Sequence, residues 1–319
     1  MGGCCLSLWI RYPKTKVSLI KNMKKIKLIL RENEFTSFTS YYLEDFWRRW
    51  VDIEYFDDSK TYDNDTLFAV WWMNAHDDYS KKLQTQGYKV IVDNLWEIPQ
   101  GHNEIYWLEH PNWFRLNESL WWRALGYHQY QPNKNLKYLA LMPMNLSKPH
   151  RDFLFDTMEP LLDQFLWSYR GQRLPGDDDY THGEWQRYMN PSWYDNCYCS
   201  VVAETTIDCA WVTEKSCKFL AYFHPALVLS GPGHLMELKK LGFETFDNIF
   251  DESYDNEIDL RKRCQMIFEN LRSVDQTEYD LETQRKLQHN HDHFFNQALV
   301  ESIIETEIVF PLLEYANRQ

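Results

Sequence analysis

Short apolar runs alternate with helical patterns along the first half of the chain. Such runs predict strands at residues 26–30, 66–72, 88–93 and 104–108, and the continuous apolar run 66–72 is typical of a strand that is buried on both faces. Apolar residues at helical spacing cover residues 35–50, 75–86 and 115–126, and Gly87 follows the second of these segments as a C-terminal cap. Because strands and helices alternate, the pattern predicts a parallel, layered α/β sheet.

The pattern restarts after a polar segment, residues 127–135, which includes Pro132 and is predicted to be a linker. Further strands are predicted at 137–142, 199–203 and 226–229, and helices at 150–165, 213–222 and 233–241. We therefore expect two Rossmann-like α/β lobes that face a cleft, with a helical C-terminal tail. The predicted boundaries are a flexible tail at 1–22, a first lobe at 23–130, a second lobe at 136–256 and helices at 257–319.

Composition narrows the function classes. Of the 319 residues, Lys and Arg number 34 and Asp and Glu 47, so the formal net charge is −13. This acid excess disfavours a protein that wraps nucleic acid, although a local basic patch is compatible with it. Aromatic residues make up 16% of the chain, which excludes a disordered protein. They serve either as core or as a stacking surface for sugars or bases.

Cysteine usage and hydropathy indicate the compartment. The seven Cys are scattered and form no Cys-x-x-Cys pair, so a reducing, cytoplasmic location is predicted. No apolar stretch approaches the roughly 18 residues of a membrane span. Gly2 beside Cys4 and Cys5 hints at acylation, but Leu6 stands where the acylation motif has Ser or Thr.

The densest chemical signal lies between residues 201 and 215. It combines a buried strand, a short polar loop and a helix that Thr213 is placed to cap, with Glu214 and Lys215 in the first turn. Free amides and the positive end of the helix dipole favour a phosphate there. Lys215 adds a charge for a diphosphate, and Glu214 is suited to ribose hydroxyls. On spacing alone, an ordinary capped surface helix with an acid near its N-terminus is the better interpretation.

The same residues resemble a known signature. Ala203-Glu-Thr-Thr followed by Trp211-Val-Thr-Glu-Lys215, and then His224-Pro-Ala-Leu-Val-Leu-Ser-Gly231, is similar to the nucleotide-sugar signature of α1,3-fucosyltransferases (family 10-like). Thr205 stands where that family has Asn, and Trp211 where it has Tyr. Gly242-Phe-Glu-Thr-Phe also resembles glycosyltransferases encoded by phages and large viruses, which places the protein in a host cytoplasm if it is viral.

This resemblance implies a GT-B-type, inverting glycosyltransferase with a GDP-fucose-like nucleotide-sugar donor, a hydroxyl acceptor and no metal or other cofactor. By resemblance, Glu214 holds the donor ribose and Lys215 neutralises the diphosphate. Trp211 lines the donor pocket beside the Thr213 cap, and Glu204 lies near the sugar or orders the loop. The segment Lys148-Pro-His-Arg151 matches the place where related enzymes carry a phosphate-binding Arg, here Arg151.

Inverting transfer needs a carboxylate that takes the proton of the acceptor hydroxyl. Glu97 is preferred over Asp93, because both follow a predicted strand but only Glu97 precedes a proline, Pro99, as the resemblance implies. Trp96 and Trp113 also follow strands and are candidates for lining the acceptor site. No metal site is predicted. The acids 177–179 are expected in a solvated loop.

The acceptor stays open between a glycan, a protein side chain and a hydroxylated base in phage DNA, so a DNA-modifying glycosyltransferase is one alternative. A second is a catalytically inactive carbohydrate- or nucleotide-binding protein on the same scaffold, which the Thr at position 205 favours. The oligomeric state is not predicted.

Overall fold

The computed structural model describes residues 26–30, 51–63, 66–71, 78–94, 106–109, 113–175, 190–275 and 278–316. Contacts divide the chain into two compact units. The first comprises Met1–His110 and Glu301–Gln319, and the second comprises Pro111–Val300. Each unit contains one parallel sheet. The prediction of an α/β protein with two Rossmann-like sheets and a helical C-terminal region is therefore confirmed.

The sheet of the first unit has the strand order β2-β1-β3-β4-β5. Its elements are β1 (Ile26–Leu30), β2 (Val51–Tyr55), β3 (Leu67–Trp71), α1 (Asp78–Thr85), β4 (Lys89–Asn94) and β5 (Tyr106–Glu109). Strand β1 lies inside the sheet between β2 and β3 and is buried over Leu28, Ile29 and Leu30, as expected for a parallel strand covered on both faces. The predicted helix 35–50 lies outside the described residues.

The second unit has the strand order β7-β6-β8-β9. Its main elements are α2 (Trp113–Ala124), β6 (Tyr138–Pro143), α3 (Pro149–Met158), β7 (Phe165–Ser168), α4 (Pro191–Asp195), β8 (Cys197–Ala203), α5 (Glu214–Ala221), β9 (Ala226–Leu229), α6 (His234–Lys240), α7 (Leu260–Ser273) and α8 (Leu281–Phe294). Every residue of β8 is buried, and helices α3 and α5 pack on this strand.

The chain ends in a helical segment. Helix α9 (Gln297–Ile304) continues through a π-helical turn (Glu305–Val309) into α10 (Phe310–Ala316). Helix α10 packs on β5, which explains why the last residues belong to the first unit.

One predicted helix is too long. The sequence predicted a helix over 150–165, but α3 ends at Met158 and a 3-10 turn over Glu159–Gln164 leads into β7. Pro160 lies in that turn and has no N–H group, so the α-helical hydrogen bond at this position is lost. Strand β7 (Phe165–Ser168) was missed because its first residue, Phe165, was assigned to the end of the predicted helix.

The boundary between the units also differs from the predicted one. Residues 113–130 were expected in the first lobe, yet α2 packs within the second unit. Arg115 donates from Nη1 to the carbonyl of Leu241 (3.0 Å) and from Nη2 to that of His293 (3.2 Å). The expected linker also packs on this unit, with the Tyr130 ring centroid 4.8 Å from that of Tyr222. Both contacts are long-range in sequence, so local patterns carry no sign of them.

The strand order creates a topological switch point in the second unit. The chain runs from β6 outward to β7 and then returns to the other side of β6 as β8. Loops that leave two such neighbouring strands diverge, and in open parallel sheets ligands bind at the carboxyl ends of these strands. Here the loops are residues 144–148, after β6, and residues 204–213, after β8.

Candidate functional site

A buried carboxylate organises the loop that follows β8. Glu204 is fully shielded from solvent. Its Oε1 accepts hydrogen bonds from the amide of Thr213 (3.2 Å) and from Oγ of Ser216 (2.7 Å), and its Oε2 accepts from the Thr213 hydroxyl. All three donors lie at the start of α5. Of the two roles expected of Glu204, this geometry fits ordering the loop.

Thr213 is the N-terminal cap of α5, as predicted. Its backbone is extended, and its Oγ1 accepts a hydrogen bond from the amide of Lys215 (3.3 Å). Because Thr213 also donates to Glu204, the first turn of α5 is fixed to the end of β8. The positive end of the helix dipole is thus held at the switch point.

The middle of this loop closes against Gly231, which follows β9. The Gly231 amide donates to the carbonyl of Cys209 (3.1 Å). A Cβ atom at Gly231 would lie 2.2 Å from the Cys209 carbonyl carbon and 2.7 Å from the Ala210 nitrogen, so a side chain does not fit without a backbone shift. Trp211 follows this contact, is half-buried and donates its amide to Cys209 (3.1 Å).

Lys215 connects the helix start with the loop. Its Nζ lies 2.5 Å from Oε1 of Glu214, 2.9 Å from Oγ1 of Thr205 and 3.4 Å from Oγ1 of Thr213. Burial opposes ionisation of Glu214, but the charge and hydrogen bond of Lys215, the charge of Lys218 and the backbone amide of Glu214 together outweigh burial, and the pKa of this carboxyl is lowered. Glu214 and Lys215 thus form an ion pair at the N-terminus of α5.

The helix that follows the loop after β6 contributes Arg151, which is the third residue of α3. Its guanidinium donates from Nη1 to the carbonyl of Leu146 and from Nη2 to the carbonyl of Glu204, both at 3.2 Å. Nε2 of His150 lies 3.1 Å from the same Glu204 carbonyl, and burial lowers the pKa of His150. The start of α3 and the end of β8 are therefore joined by buried hydrogen bonds.

Lys148 is a third cation at this point, and the sequence reasoning did not assign it a role. It occupies the N-cap position of α3, and its Nζ donates to the carbonyl of Thr205 (2.6 Å). Burial lowers the pKa of Lys148, and the charges of Arg151 and Lys215 lower it further. The signal that was available was its place three residues before Arg151, at the same helix start.

The site is locally positive in an acidic protein. Lys148, Arg151 and Lys215 surround the turn formed by Glu204 and Thr205. Among the described residues, neither Lys148 nor Arg151 forms an ion pair with a carboxylate. Three cations beside a helix N-terminus fit a polyvalent anion such as a phosphate group.

The candidates of the first unit are only partly described. Asp93 is the penultimate residue of β4, in register with Trp71 and Leu108, at the carboxyl edge of the sheet. Trp113 is the first residue of α2 and belongs to the second unit by its contacts. The side chains of Asp93 and Trp113 lie outside the described part of the chain. Trp96 and Glu97 lie outside it altogether, as do the acids 177–179.

The described residues contain no group of three or more His, Cys, Asp or Glu side chains that could hold a metal ion. In the same part of the chain, no helix has the length and apolar character that crossing a membrane requires.

Comparisons with known proteins give structural neighbours only. No protein family and no curated protein sequence matches the chain. Among solved structures, the chain is similar to a crystal structure of α1,3-fucosyltransferase, with a TM-score of 0.45, 10% identity and coverage of 91% of this chain and 93% of that one. It is also similar to α1,3-fucosyltransferase with GDP-fucose (TM-score 0.42, 10% identity, 86% and 91% covered). The form with GDP gives a TM-score of 0.42, 11% identity and coverage of 91% and 93%.

Proposed function

We propose that this protein is a metal-independent glycosyltransferase that moves a sugar from a nucleotide sugar, GDP-fucose-like, to a hydroxyl acceptor with inversion. The observation that carries the proposal is the convergence of Arg151 and Lys215 on the turn after β8, beside the N-terminus of α5. These residues lie in the first turns of the helices that follow the two strands of the switch point, α3 after β6 and α5 after β8. They are also the residues to which the sequence signature assigns the diphosphate.

In the proposed reaction, the oxygen of the acceptor hydroxyl attacks the anomeric carbon of the donor sugar. Its proton passes to a carboxylate, for which Glu97 is the first candidate and Asp93 the second. The bond between the anomeric carbon and the diphosphate oxygen breaks, and its electron pair stays on the diphosphate. Arg151, Lys215 and the helix dipole stabilise the charge that develops on this leaving group.

Two further side chains bind the nucleotide in the proposed complex. Glu214 binds the ribose hydroxyls while it remains paired with Lys215. Trp211, half-buried in the loop that Gly231 closes, lines the donor pocket. Glu204 stays shielded from the donor and holds the loop through Thr213.

The experiment that tests the proposal is Lys215→Ala, assayed for donor hydrolysis and for transfer. We expect turnover to fall by a factor on the order of 100–1000, since a preorganised group that stabilises developing charge is removed. The melting temperature should fall, because Glu214 loses its ion-pair partner, but the protein should stay folded, so the loss of turnover is measured on folded protein. Lys240→Ala is the matched control, since Lys240 is an ion-paired surface lysine of α6. Unchanged turnover in Lys215→Ala contradicts the proposal.

A thermal-shift screen of the wild-type protein with GDP, UDP, CDP and ADP identifies the nucleobase of the donor, because a ligand that binds the folded state stabilises it by RT ln(1 + [L]/Kd) and the tightest-binding nucleotide therefore raises the melting temperature most. Addition of EDTA tests metal independence and should leave turnover unchanged. Two variants, Glu97→Gln and Asp93→Asn, distinguish the two candidates for the catalytic base. Only the substitution of the true base should lower turnover without weakening donor binding.

A further inference from the structure

Lys148 and Lys215 reach the same residue from opposite sides of the switch point. Lys148 Nζ donates to the backbone carbonyl of Thr205 (2.6 Å), and Lys215 Nζ donates to the Thr205 hydroxyl (2.9 Å). Lys148 starts α3, whereas Lys215 lies in the first turn of α5. Two ammonium groups from different loops are thus brought to one turn, although like charges repel.

The two groups differ in how their charge is balanced. Lys215 has the carboxylate of Glu214 at 2.5 Å. Lys148 has only a neutral carbonyl, and among the described residues it has no carboxylate within salt-bridge distance. A hydrogen bond from an ammonium to a neutral carbonyl is weaker than one to a charged phosphate oxygen. An anion at this turn therefore gains more from Lys148 than from Lys215.

The three cations also differ in freedom to move. Arg151 is buried, and two backbone carbonyls hold its guanidinium. Lys215 has three acceptors for its ammonium. Lys148 is half-buried, has one acceptor and carries its charge on a flexible stem. Of the three, Lys148 can turn toward a ligand at the lowest cost in existing contacts.

We propose that Lys148 is a third phosphate-binding residue of this site and that its ammonium contacts the diphosphate of the bound nucleotide together with Arg151 and Lys215. This inference rests on the proposed function. According to this inference, two cations at the start of α3 bind phosphate, Lys148 and Arg151, whereas the sequence signature assigns this role only to Arg151. In the nucleotide complex, the Lys148 ammonium either replaces its hydrogen bond to the Thr205 carbonyl with one to a phosphate oxygen or donates to both oxygens.

The test measures binding of inorganic pyrophosphate and of GDP to the full chain by calorimetry. Lys148→Gln should weaken both by about tenfold, the size expected when one hydrogen bond to a charged group is lost. The loss should shrink at high salt, because screening weakens the charge term that Lys148 supplies. Lys148→Arg should recover most of the affinity. Lys137→Gln is the control, since Lys137 is an exposed lysine just before β6, at the opposite edge of the sheet.

The outcomes separate the two proposals. If the wild-type protein binds neither pyrophosphate nor GDP, the proposed function itself fails. If it binds both and Lys148→Gln binds them equally well, only the role of Lys148 is overturned. A loss that does not depend on salt, and that Lys148→Arg shares, shows that Lys148 merely supports the Thr205 turn.

A labelling experiment on the wild-type protein covers the case in which Lys148→Gln does not fold. Bound pyrophosphate should slow reductive methylation of Lys148 and leave that of Lys137 unchanged, because only a contacted ammonium is protected. Equal labelling of Lys148 with and without pyrophosphate, under conditions where calorimetry shows binding, overturns the inference.

Discussion

Oγ of Ser216 donates a hydrogen bond to Oε1 of Glu204 across 2.7 Å, and both side chains are shielded from solvent. Ser216 Oγ also lies 3.1 Å from Nε2 of His234, at the start of α6. Since the Ser216 hydroxyl has one proton, which it donates to the carboxylate, Nε2 of His234 is the donor to Ser216. The start of α6 is thereby linked to the carboxylate that holds the cap of α5.

We predict that Ser216→Ala lowers the free energy of unfolding by about 1–3 kcal/mol, because Glu204 loses one of its three donors in a buried site. Urea unfolding measures this loss. Thr206→Ala is the control, because the Thr206 hydroxyl donates to the carboxylate of exposed Asp208 and accepts from its amide, away from the buried carboxylate of Glu204. Equal stability of Ser216→Ala and the wild type would mean that the carboxylate does not depend on this bond.

The contact between Gly231 and Cys209 gives a second prediction. Gly231→Ala should destabilise the protein by about 1–3 kcal/mol, as overpacking of a closed site does, and should weaken GDP binding because the loop must move. Gly87→Ala separates crowding from backbone strain. Gly87 has φ +80° and nothing within 4 Å of its Cβ position, so its substitution should cost stability but not GDP affinity. Unaltered GDP binding in Gly231→Ala contradicts this prediction.

Much of this site follows from the sequence, and the rest depends on contacts between distant segments. The strand, polar loop and capped helix over 201–215 carry local signals, so the cap at Thr213 could be predicted. The bond from Arg151 to the Glu204 carbonyl joins residues 53 positions apart. In the sequence, Gly231 is only the last residue of the signature segment, and its need to lack a side chain follows from the contact with Cys209.

The role of Lys148 also depends on contacts between distant segments and could not be predicted from the local sequence. A lysine at a helix start opposes the helix dipole, which favours an anion nearby, but its position in the sequence does not show which loop it faces. Its meaning comes from the strand order, which brings the loop after β6 beside the loop after β8. Sheet order among parallel strands is set by packing over the whole unit, and local periodicity does not encode it.

The ion pair at the start of α5 predicts a pH dependence. The pKa of Glu214 in the folded protein is lower than the value of about 4.5 for the unfolded chain. The ion pair therefore stabilises the fold above about pH 4.5, and this stabilisation is lost as the pH falls through the pKa of the folded state. Lys215→Met should therefore be less stable than the wild type at neutral pH, and the difference should narrow under acidic conditions. Urea midpoints measured for both proteins from neutral pH to about pH 3 check this. A difference that does not change with pH would show that Lys215 acts through packing alone.

The buried carboxyl group of Asp255 leads us to predict the opposite dependence of stability on pH. Its Oδ2 accepts from the Leu235 amide (3.0 Å) at the start of α6, and burial raises its pKa to about 6 against the pull of Arg263. A raised carboxyl pKa favours the folded state at low pH, and this contribution is lost as the pH rises through about 6. Asp255→Asn keeps an acceptor for Leu235 and stays neutral. It should gain stability relative to the wild type as the pH rises from about 5 to 8, and urea midpoints at both pH values measure the gain. An Asp255→Asn protein whose relative stability falls over this range refutes the assignment.

The position of α2 in the second unit gives the last prediction. Trp122 is fully buried, and its ring centroid lies 5.5 Å from that of Phe294 in α8. Trp122→Ala should therefore lower the free energy of unfolding by about 3–5 kcal/mol, since a large cavity forms in a packed core. Leu125→Ala is the control. Leu125 follows α2 but is 47% exposed, so the change should stay within about 0.5 kcal/mol.

Hydrogen exchange tells where the loss from Trp122→Ala occurs. Exchange should accelerate in α8, which contains Phe294, and remain slow in β4 of the first unit, because local opening follows the contacts that were removed. Faster exchange in β4 with α8 unchanged would instead place α2 with the first sheet, as the sequence pattern of strands and helices alone predicts.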